Sequence, residues 1–186
     1  MKSNYKKLIA NLTNKGIIFA EGMSEYDFKI IEDKLNVIFP SQLKEFLSCG
    51  VPISKGFYNW KDLSNQNIEQ IKQMIERPFL DILKEIENEN YWCENWGEKP
   101  NDLEKAIKIY NSEYERAPKI IPFYSHRYIV GVANDKNMKI LSIAGSDIIC
   151  YSDNLESYLQ IEFKIKEFDN SADCKNIPFW SNLIYD

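Results

Sequence analysis

The sequence predicts an α+β fold, a largely antiparallel β-sheet packed with α-helices. Two observations carry this prediction. Apolar residues recur at helical spacing through residues 5–114 of the 186-residue chain. Between residues 119 and 151 the pattern changes to four short runs rich in Ile, Val and Tyr, separated by turn residues. Helices followed by closely spaced strands are typical of an α+β domain, in which consecutive strands pair antiparallel.

Capping and breaking residues predict where the first helices begin and end. Gly16 ends the first helical pattern, Ser24 is expected to cap the second helix, and Pro40 is expected to open a short third one. A longer helical pattern starts near Ile68. We expect Pro78 to break or kink it, because a proline inside a helix removes a hydrogen bond and clashes with the preceding turn.

Two more caps and four strands complete the expected elements. Asn101 with Glu104 resembles a capping box, and Asp153 is expected to cap a final helix. Turns are expected at 134–137 and 144–146. The expected strands are Lys119–Tyr124, Tyr128–Val132, Met138–Ile143 and Asp147–Tyr151.

The chain length fits one domain, which we expect to span residues 1–163. Residues 164–186 form a charged tail that ends in apolar side chains, among them Ile177, Phe179 and Trp180. These groups are expected to dock on the domain.

Composition excludes several classes of function. A net charge of −5 and a pI near 5.1 argue against a protein that tracks nucleic-acid phosphates. The single histidine excludes most multi-histidine metal sites, and the scattered glycines form neither of the common phosphate-binding loops, so neither a metal nor a cofactor is expected. No apolar stretch has the length of a signal peptide or a membrane span, which favours a cytoplasmic protein without membrane contact.

The cysteines are widely spaced and form no CxxC pair. They are Cys49, Cys93, Cys150 and Cys174. Four cysteines are enough for two disulfides, but nothing in the sequence indicates secretion. We therefore predict reduced, mostly buried thiols, and we do not expect a zinc site because its ligands usually have short spacings.

His126 is the first candidate for catalysis, because histidine can act as a base near neutral pH. Its neighbour Ser125 lacks the GxSxG setting of a hydrolase nucleophile. The favoured interpretation is a histidine at the edge of a strand that bonds the backbone. A small hydrolase or transferase that uses His126 and Arg127 stays open as an alternative.

Charge is concentrated in one segment, Asp81–Lys105. It holds eight acidic and three basic side chains, an excess that equals the whole net charge of −5. Acidic surfaces that carry large aromatic side chains are typical of protein interfaces. The expected partner-binding residues are Glu85, Glu87, Glu89, Trp92, Glu94, Trp96, Asp102 and Trp60. In the alternative interpretation the tryptophans fill the core and the acids only keep the protein in solution.

The order of these motifs resembles the SMI1/KNR4, or SUKH, superfamily over residues 8–163. In the first half, Gly22-Met23-Ser24 leads into a helix with Ile31-Glu32 and Leu35, and then come Phe39-Pro40, Leu43, Phe46-Leu47 and Gly50. In the second half, Ile121-Pro122-Phe123 resembles a strand of the family, and residues 142–151, followed by Asn154-Leu155 and Tyr158-Leu159, resemble its closing strand and helix.

This resemblance implies an α+β fold and a non-enzymatic role in protein binding. Bacterial members are typically immunity proteins that neutralise a polymorphic toxin, often a nuclease, by direct contact. Fungal members are regulators that act through protein contacts, so a regulatory interaction module is the alternative. The composition, rich in lysine, isoleucine and asparagine, indicates an AT-rich bacterial genome and favours the immunity role with a basic toxin as partner. The oligomeric state stays open.

Overall fold

A computed structural model describes residues 2–131, 138–167 and 172–186, and it confirms the predicted α+β fold. The helices are α1 (Lys2–Asn14), α2 (Glu25–Leu35), α3 (Ser41–Cys49), α4 (Asn65–Asn88), α5 (Leu103–Tyr114), α6 (Leu155–Glu162) and α7 (Trp180–Ile184), with a short 3-10 helix at Glu94–Trp96. The strands are β1 (Phe19–Ala20), β2 (Val51–Pro52), β3 (Ile120–Tyr124), β4 (Arg127–Val130), β5 (Lys139–Ala144) and β6 (Asp147–Ser152).

The main sheet is an antiparallel meander in the order β3-β4-β5-β6, as the sequence predicts. Ile129 pairs with Ile140 across its centre. Gly145 and Ser146 form the tight turn between β5 and β6, where Gly145 has a φ of 60°. The expected turn at 134–137 lies outside the described residues. Strands β1 and β2 form a separate small ribbon.

The sheet is buried on both faces because its side chains alternate between two cores. Ile129 packs in a first core with residues of α1, α2, α3 and α6. Its neighbours Tyr128 and Val130 point to the opposite face and pack in a second core with residues of α4, α5 and α7. The second core also holds Cys174, Ile177, Phe179, Trp180 and Leu183. The end of the chain therefore supplies much of the second face.

Ser24 caps α2 as predicted. Its hydroxyl accepts a hydrogen bond from the Asp27 backbone N–H at 3.2 Å, and the Asp27 carboxylate accepts one from the Ser24 N–H at 2.8 Å. This reciprocal capping box satisfies donors that a first helical turn leaves without partners. The Ser24 hydroxyl also donates to the Asp27 carboxylate at 2.9 Å, and these two bonds, from the backbone N–H and the hydroxyl of Ser24, lower the pKa of Asp27.

Two other predicted caps are wrong by one residue. Asp102, not Asn101, caps α5, because its side chain accepts hydrogen bonds from the second and third backbone N–H groups of the helix. Asn154, not Asp153, caps α6 and accepts from the Ser157 N–H at 2.7 Å. In each place either of two neighbouring polar residues could be the N-cap. The local backbone decides which side chain reaches the first N–H groups of the helix.

Pro78 does not break α4, which runs from Asn65 to Asn88 without interruption. The helix buries Ile71 in the first core and Ile82 and Ile86 in the second. Contacts on both sides of the proline therefore offset the hydrogen bond that it removes. None of the helices in the described ranges is long and apolar enough to cross a membrane.

The prediction of reduced thiols is wrong for Cys150 and Cys174, which form a disulfide with their Cα atoms 5.7 Å apart. Cys150 lies in β6, and Cys174 is buried where the end of the chain packs on the sheet. The long-range fold brings these two distant cysteines together. A further helix, α7, follows α6, which the sequence predicted to be the last.

Candidate functional site

Exposed carboxylates are concentrated at the end of α4, in the following loop and at the start of α5. These carboxylates, which we call the acidic surface, are those of Glu87, Glu89, Glu94, Glu98, Asp102 and Glu104. Among the described residues these six carboxylates have a single ion-pair contact, from Lys105 Nζ to Asp102 Oδ2 at 4.0 Å. Asp102 also caps α5 through its carboxylate, so the other five carboxylates are the ones available to a partner.

Asp186 joins the acidic surface through the tertiary structure. The backbone N–H of Glu94 donates a hydrogen bond to the Asp186 carboxylate at 3.0 Å. The two residues are 92 positions apart in the chain. Asp186 is not predicted as part of this surface, because no local pattern in the sequence connects it with the segment 81–105.

A hollow of about 440 Å³ lies within this region, between α4 and α5. Glu87 lines it together with Leu103, whose side chain is 46% exposed. Lys99 also lines it, but its ammonium group donates hydrogen bonds to the Asn90 side chain at 2.8 Å and to the Tyr91 carbonyl at 3.3 Å. A carboxylate beside an exposed apolar side chain suits a lysine or arginine, whose apolar stem and charged head need different surroundings.

Two of the three tryptophans expected as anchors are core residues. Trp60 is 1% exposed and Trp96 is 7% exposed. Trp60 packs edge-on against Phe39, and Trp96 stacks on Phe179. Neither can enter a partner from the folded surface, so both are corrections to the expected site.

Trp92, unlike the other two, is partly exposed and can contact a partner. Its ring is half-buried and meets the Trp96 ring edge-on, with centroids 5.2 Å apart. Its indole N–H donates to the Gly97 carbonyl at 2.7 Å. These contacts hold the ring in one orientation beside the acidic surface, which lowers the entropy lost on binding.

Glu85 is half-buried and serves the fold, which corrects its expected role. Both of its carboxylate oxygens accept hydrogen bonds from the Ser146 backbone N–H. A carboxylate engaged in this way is not free for a partner, unlike those of Glu87, Glu89 and Glu94.

His126 lies exposed in the turn between β3 and β4, at the edge of the sheet. The Arg127 guanidinium donates to its Nε2, so the proton of the neutral ring is on Nδ1. Nδ1 then donates to the Ser125 hydroxyl, 3.2 Å away. Burial and the charge of Arg127 lower the pKa of His126, and Glu162 opposes that shift. With the proton on Nδ1, the ring directs an N–H and not a lone pair at the Ser125 hydroxyl.

Arg127 is held by several other groups. It donates hydrogen bonds to Glu162 at 3.3 Å and to the Ser142 hydroxyl at 2.7 Å. Its guanidinium carbon also lies 4.2 Å from the centroid of the Tyr151 ring. Glu162 belongs to α6 and Ser142 to β5, so Arg127 ties this helix to the sheet.

His126 lines a hollow of about 370 Å³ together with Asp81 and Arg77. Arg77 Nε donates to the Asp81 carboxylate at 3.1 Å, so this carboxylate is paired with an arginine. Within the described ranges, no three histidine, cysteine or acidic side chains are grouped so that they could hold a metal ion.

Comparisons with protein-family models, curated proteins and solved structures find no match for this chain. The resemblance to the SUKH superfamily therefore stays a prediction.

Proposed function

We propose that this protein is an immunity protein that binds and neutralises a basic toxin through the acidic surface. The observation that carries the proposal is the set of six exposed carboxylates, joined by Asp186, with only one ion-pair contact among the described residues. Charges without partners at a surface create a field that attracts an oppositely charged protein.

The surroundings of the acidic surface support a protein as the partner. Trp92 is a pre-oriented aromatic side chain, and such residues are frequent anchors of interfaces. The hollow beside Glu87 and Leu103 can receive a basic side chain. Charge complementarity would speed association and make its rate fall with salt. A toxin that acts on nucleic acid has a basic surface, and the acidic surface would occupy it.

The resemblance to the SUKH superfamily supports the toxin as the target, and the same resemblance supports action in the cytoplasm. The Cys150–Cys174 disulfide argues against the cytoplasm, because cytosolic thiols are usually kept reduced. Quenching the cells with acid and then alkylating the denatured protein would count its reduced cysteines, the buried Cys174 included, and would test this part of the proposal. Modification of Cys150 and Cys174 is expected for a reducing cytoplasm, and protection of both would contradict it.

The central experiment is a charge reversal with a matched control. The test variant is Glu87→Lys with Glu89→Lys and Glu94→Lys, and the partner is the protein encoded by the neighbouring reading frame. The control variant is Asp33→Lys with Glu69→Lys and Glu115→Lys, which are exposed acids away from this surface. Both variants change the net charge equally, so a difference between them reports the position of the charge.

We expect the test variant to lose affinity by about tenfold or more at low salt, while the control changes little. The wild-type association rate should fall as salt rises, and the test variant should lose most of that dependence. Equal affinities of the two variants would contradict the acidic surface as the binding site. If the neighbouring protein binds but is not toxic, the alternative of a regulatory interaction module takes the place of immunity.

A small enzyme is the second candidate, favoured by one observation: His126, Asp81 and Arg77 line the same hollow. The contact between Arg127 and His126 Nε2 opposes it, as does the pairing of Asp81 with Arg77. His126→Ala separates the two functions. Undiminished protection against the toxin would contradict the enzyme, whereas loss of protection without loss of toxin binding would support it.

A further inference from the structure

A third cavity lies away from the acidic surface, where the end of α2, the middle of α4 and the segment after α5 meet. Its volume is about 530 Å³, within the roughly 300–1,000 Å³ range of small-molecule sites. We propose that this cavity binds a small apolar molecule with one carboxylate, such as a medium-chain fatty acid.

The walls of the cavity are mostly apolar. Leu35, Ile75 and Phe79 line it, and the chain turning at Ala117 and Pro118 closes one side. These residues come from three separate parts of the chain, and packed elements fix their positions. A preformed apolar hollow of this kind favours an alkyl or aromatic group, since burial of its surface is favourable and little of the protein needs to be ordered.

The charged groups around the cavity determine which apolar molecule fits best. Lys34, Lys72 and Lys119 line it, against a single acid, Glu76. The Lys119 ammonium group already donates to the Asn36 backbone carbonyl at 2.6 Å.

Lys34 and Lys72 differ from Lys119 in this respect. Both are exposed, and in the described part of the chain neither forms an ion pair. Two unpaired ammonium groups at the border of an apolar cavity match a ligand with an apolar body and one anionic end. A neutral ligand of the same shape would leave these charges unused, and a cationic one would be repelled.

This site is independent of the proposed function. The acidic surface is at the beginning of α5, whereas the cavity is at the segment that follows its end. Occupation of the cavity is therefore not expected to block the partner, and failure of either proposal leaves the other intact.

The experiment measures binding of dansyl-undecanoate and of its neutral methyl ester by fluorescence titration of the full chain. The test variant is Lys34→Glu with Lys72→Glu. The control is Lys6→Glu with Lys29→Glu, which makes the same charge change at exposed sites that do not line the cavity. A third variant, Ala117→Trp, is designed to fill the cavity, and circular dichroism checks that it folds.

We expect saturable binding of one carboxylate probe per chain and weaker binding of the ester. The test variant should bind the carboxylate about tenfold more weakly, since each exposed ion pair contributes modestly and reversal adds repulsion. The control should bind like the wild type, and folded Ala117→Trp should bind neither probe. Absence of saturable wild-type binding, or equal binding by test and control variants, would overturn the proposal. The two lysine variants keep this test valid if Ala117→Trp does not fold.

Discussion

The Glu85 carboxylate accepts hydrogen bonds from the Ser146 backbone N–H with both oxygens, at 3.0 and 3.2 Å. Glu85 lies on α4, and Ser146 lies in the turn between β5 and β6. The pair therefore connects the longest helix with one end of the sheet. It also explains why this carboxylate differs from its exposed neighbours in the acidic surface.

Removal of this contact should destabilise the protein. We expect Glu85→Ala to lower the free energy of unfolding by about 1–3 kcal/mol, because the Ser146 N–H loses a charged acceptor in a partly buried place. Glu87→Ala is the matched control, since it makes the same change at an exposed position of the same helix. Urea denaturation measures both. Equal effects of the two substitutions would show that the hydrogen bonds contribute nothing to stability.

Gly145 should resist substitution for two separate reasons. Its φ of 60° strains any residue with a Cβ, and that Cβ would overlap Glu85 Oε1. Gly16 also has a positive φ, of 90°, but an added Cβ there meets no atom within 4 Å. We therefore expect Gly16→Ala to cost about 1 kcal/mol from strain alone and Gly145→Ala to cost at least about 1 kcal/mol more.

A double-mutant cycle separates the two causes at Gly145. In a Glu85→Ala background the overlap is absent, so Gly145→Ala should cost about as much as Gly16→Ala. Urea denaturation of the four proteins of the cycle gives the coupling energy. A coupling energy of zero would mean that Glu85 adapts to the new methyl group without loss.

The Cys150–Cys174 disulfide should stabilise the fold by about 3.5 kcal/mol. The two cysteines are 24 positions apart, and the estimate is the loop-closure entropy that the bond removes from the unfolded chain. A reducing agent should therefore lower the unfolding free energy of the wild type. Its effect should vanish in Cys174→Ser. Insensitivity of the wild type to reduction would contradict a stabilising role.

Alkaline pH should unfold the protein. Burial raises the pKa of Tyr5 to about 12, with a smaller contribution from Glu45, and burial also raises the pKa values of Tyr110 and Tyr128. Between pH 10 and pH 12 the unfolded chain loses these protons while the folded chain keeps them. Stability therefore falls as pH rises, by up to about 1.4 kcal/mol per pH unit for each such tyrosine.

Absorbance at 295 nm reports tyrosine ionisation and circular dichroism reports folding. Part of the absorbance rise should coincide with the loss of helical signal, and chains already unfolded in urea should titrate in one step near pH 10. Tyr5→Phe removes one of the buried groups and should move the unfolding midpoint to higher pH. Complete tyrosine ionisation in a chain that keeps its helical signal would contradict the prediction.

The sequence itself determined the features that depend on neighbouring residues. Helical spacing predicted α1, α2, α3 and α5, because side chains three and four positions apart lie on one face. Ser24 and Asp27 are three residues apart and form the capping box of α2. Short runs rich in Ile, Val and Tyr, separated by turn residues, predicted the antiparallel sheet, and the −5 charge of the segment 81–105 identified most of the acidic surface.

Only the tertiary structure decided what each side chain contacts across the chain. It buried Trp60 and Trp96, paired Cys150 with Cys174, and placed Asp186 beside Glu94. It also kept α4 continuous through Pro78, since both ends of that helix are held in the two cores. The physical reason is the sequence separation of the interacting residues. Periodicity and capping depend on residues a few positions apart, whereas burial and pairing depend on how separate elements pack together.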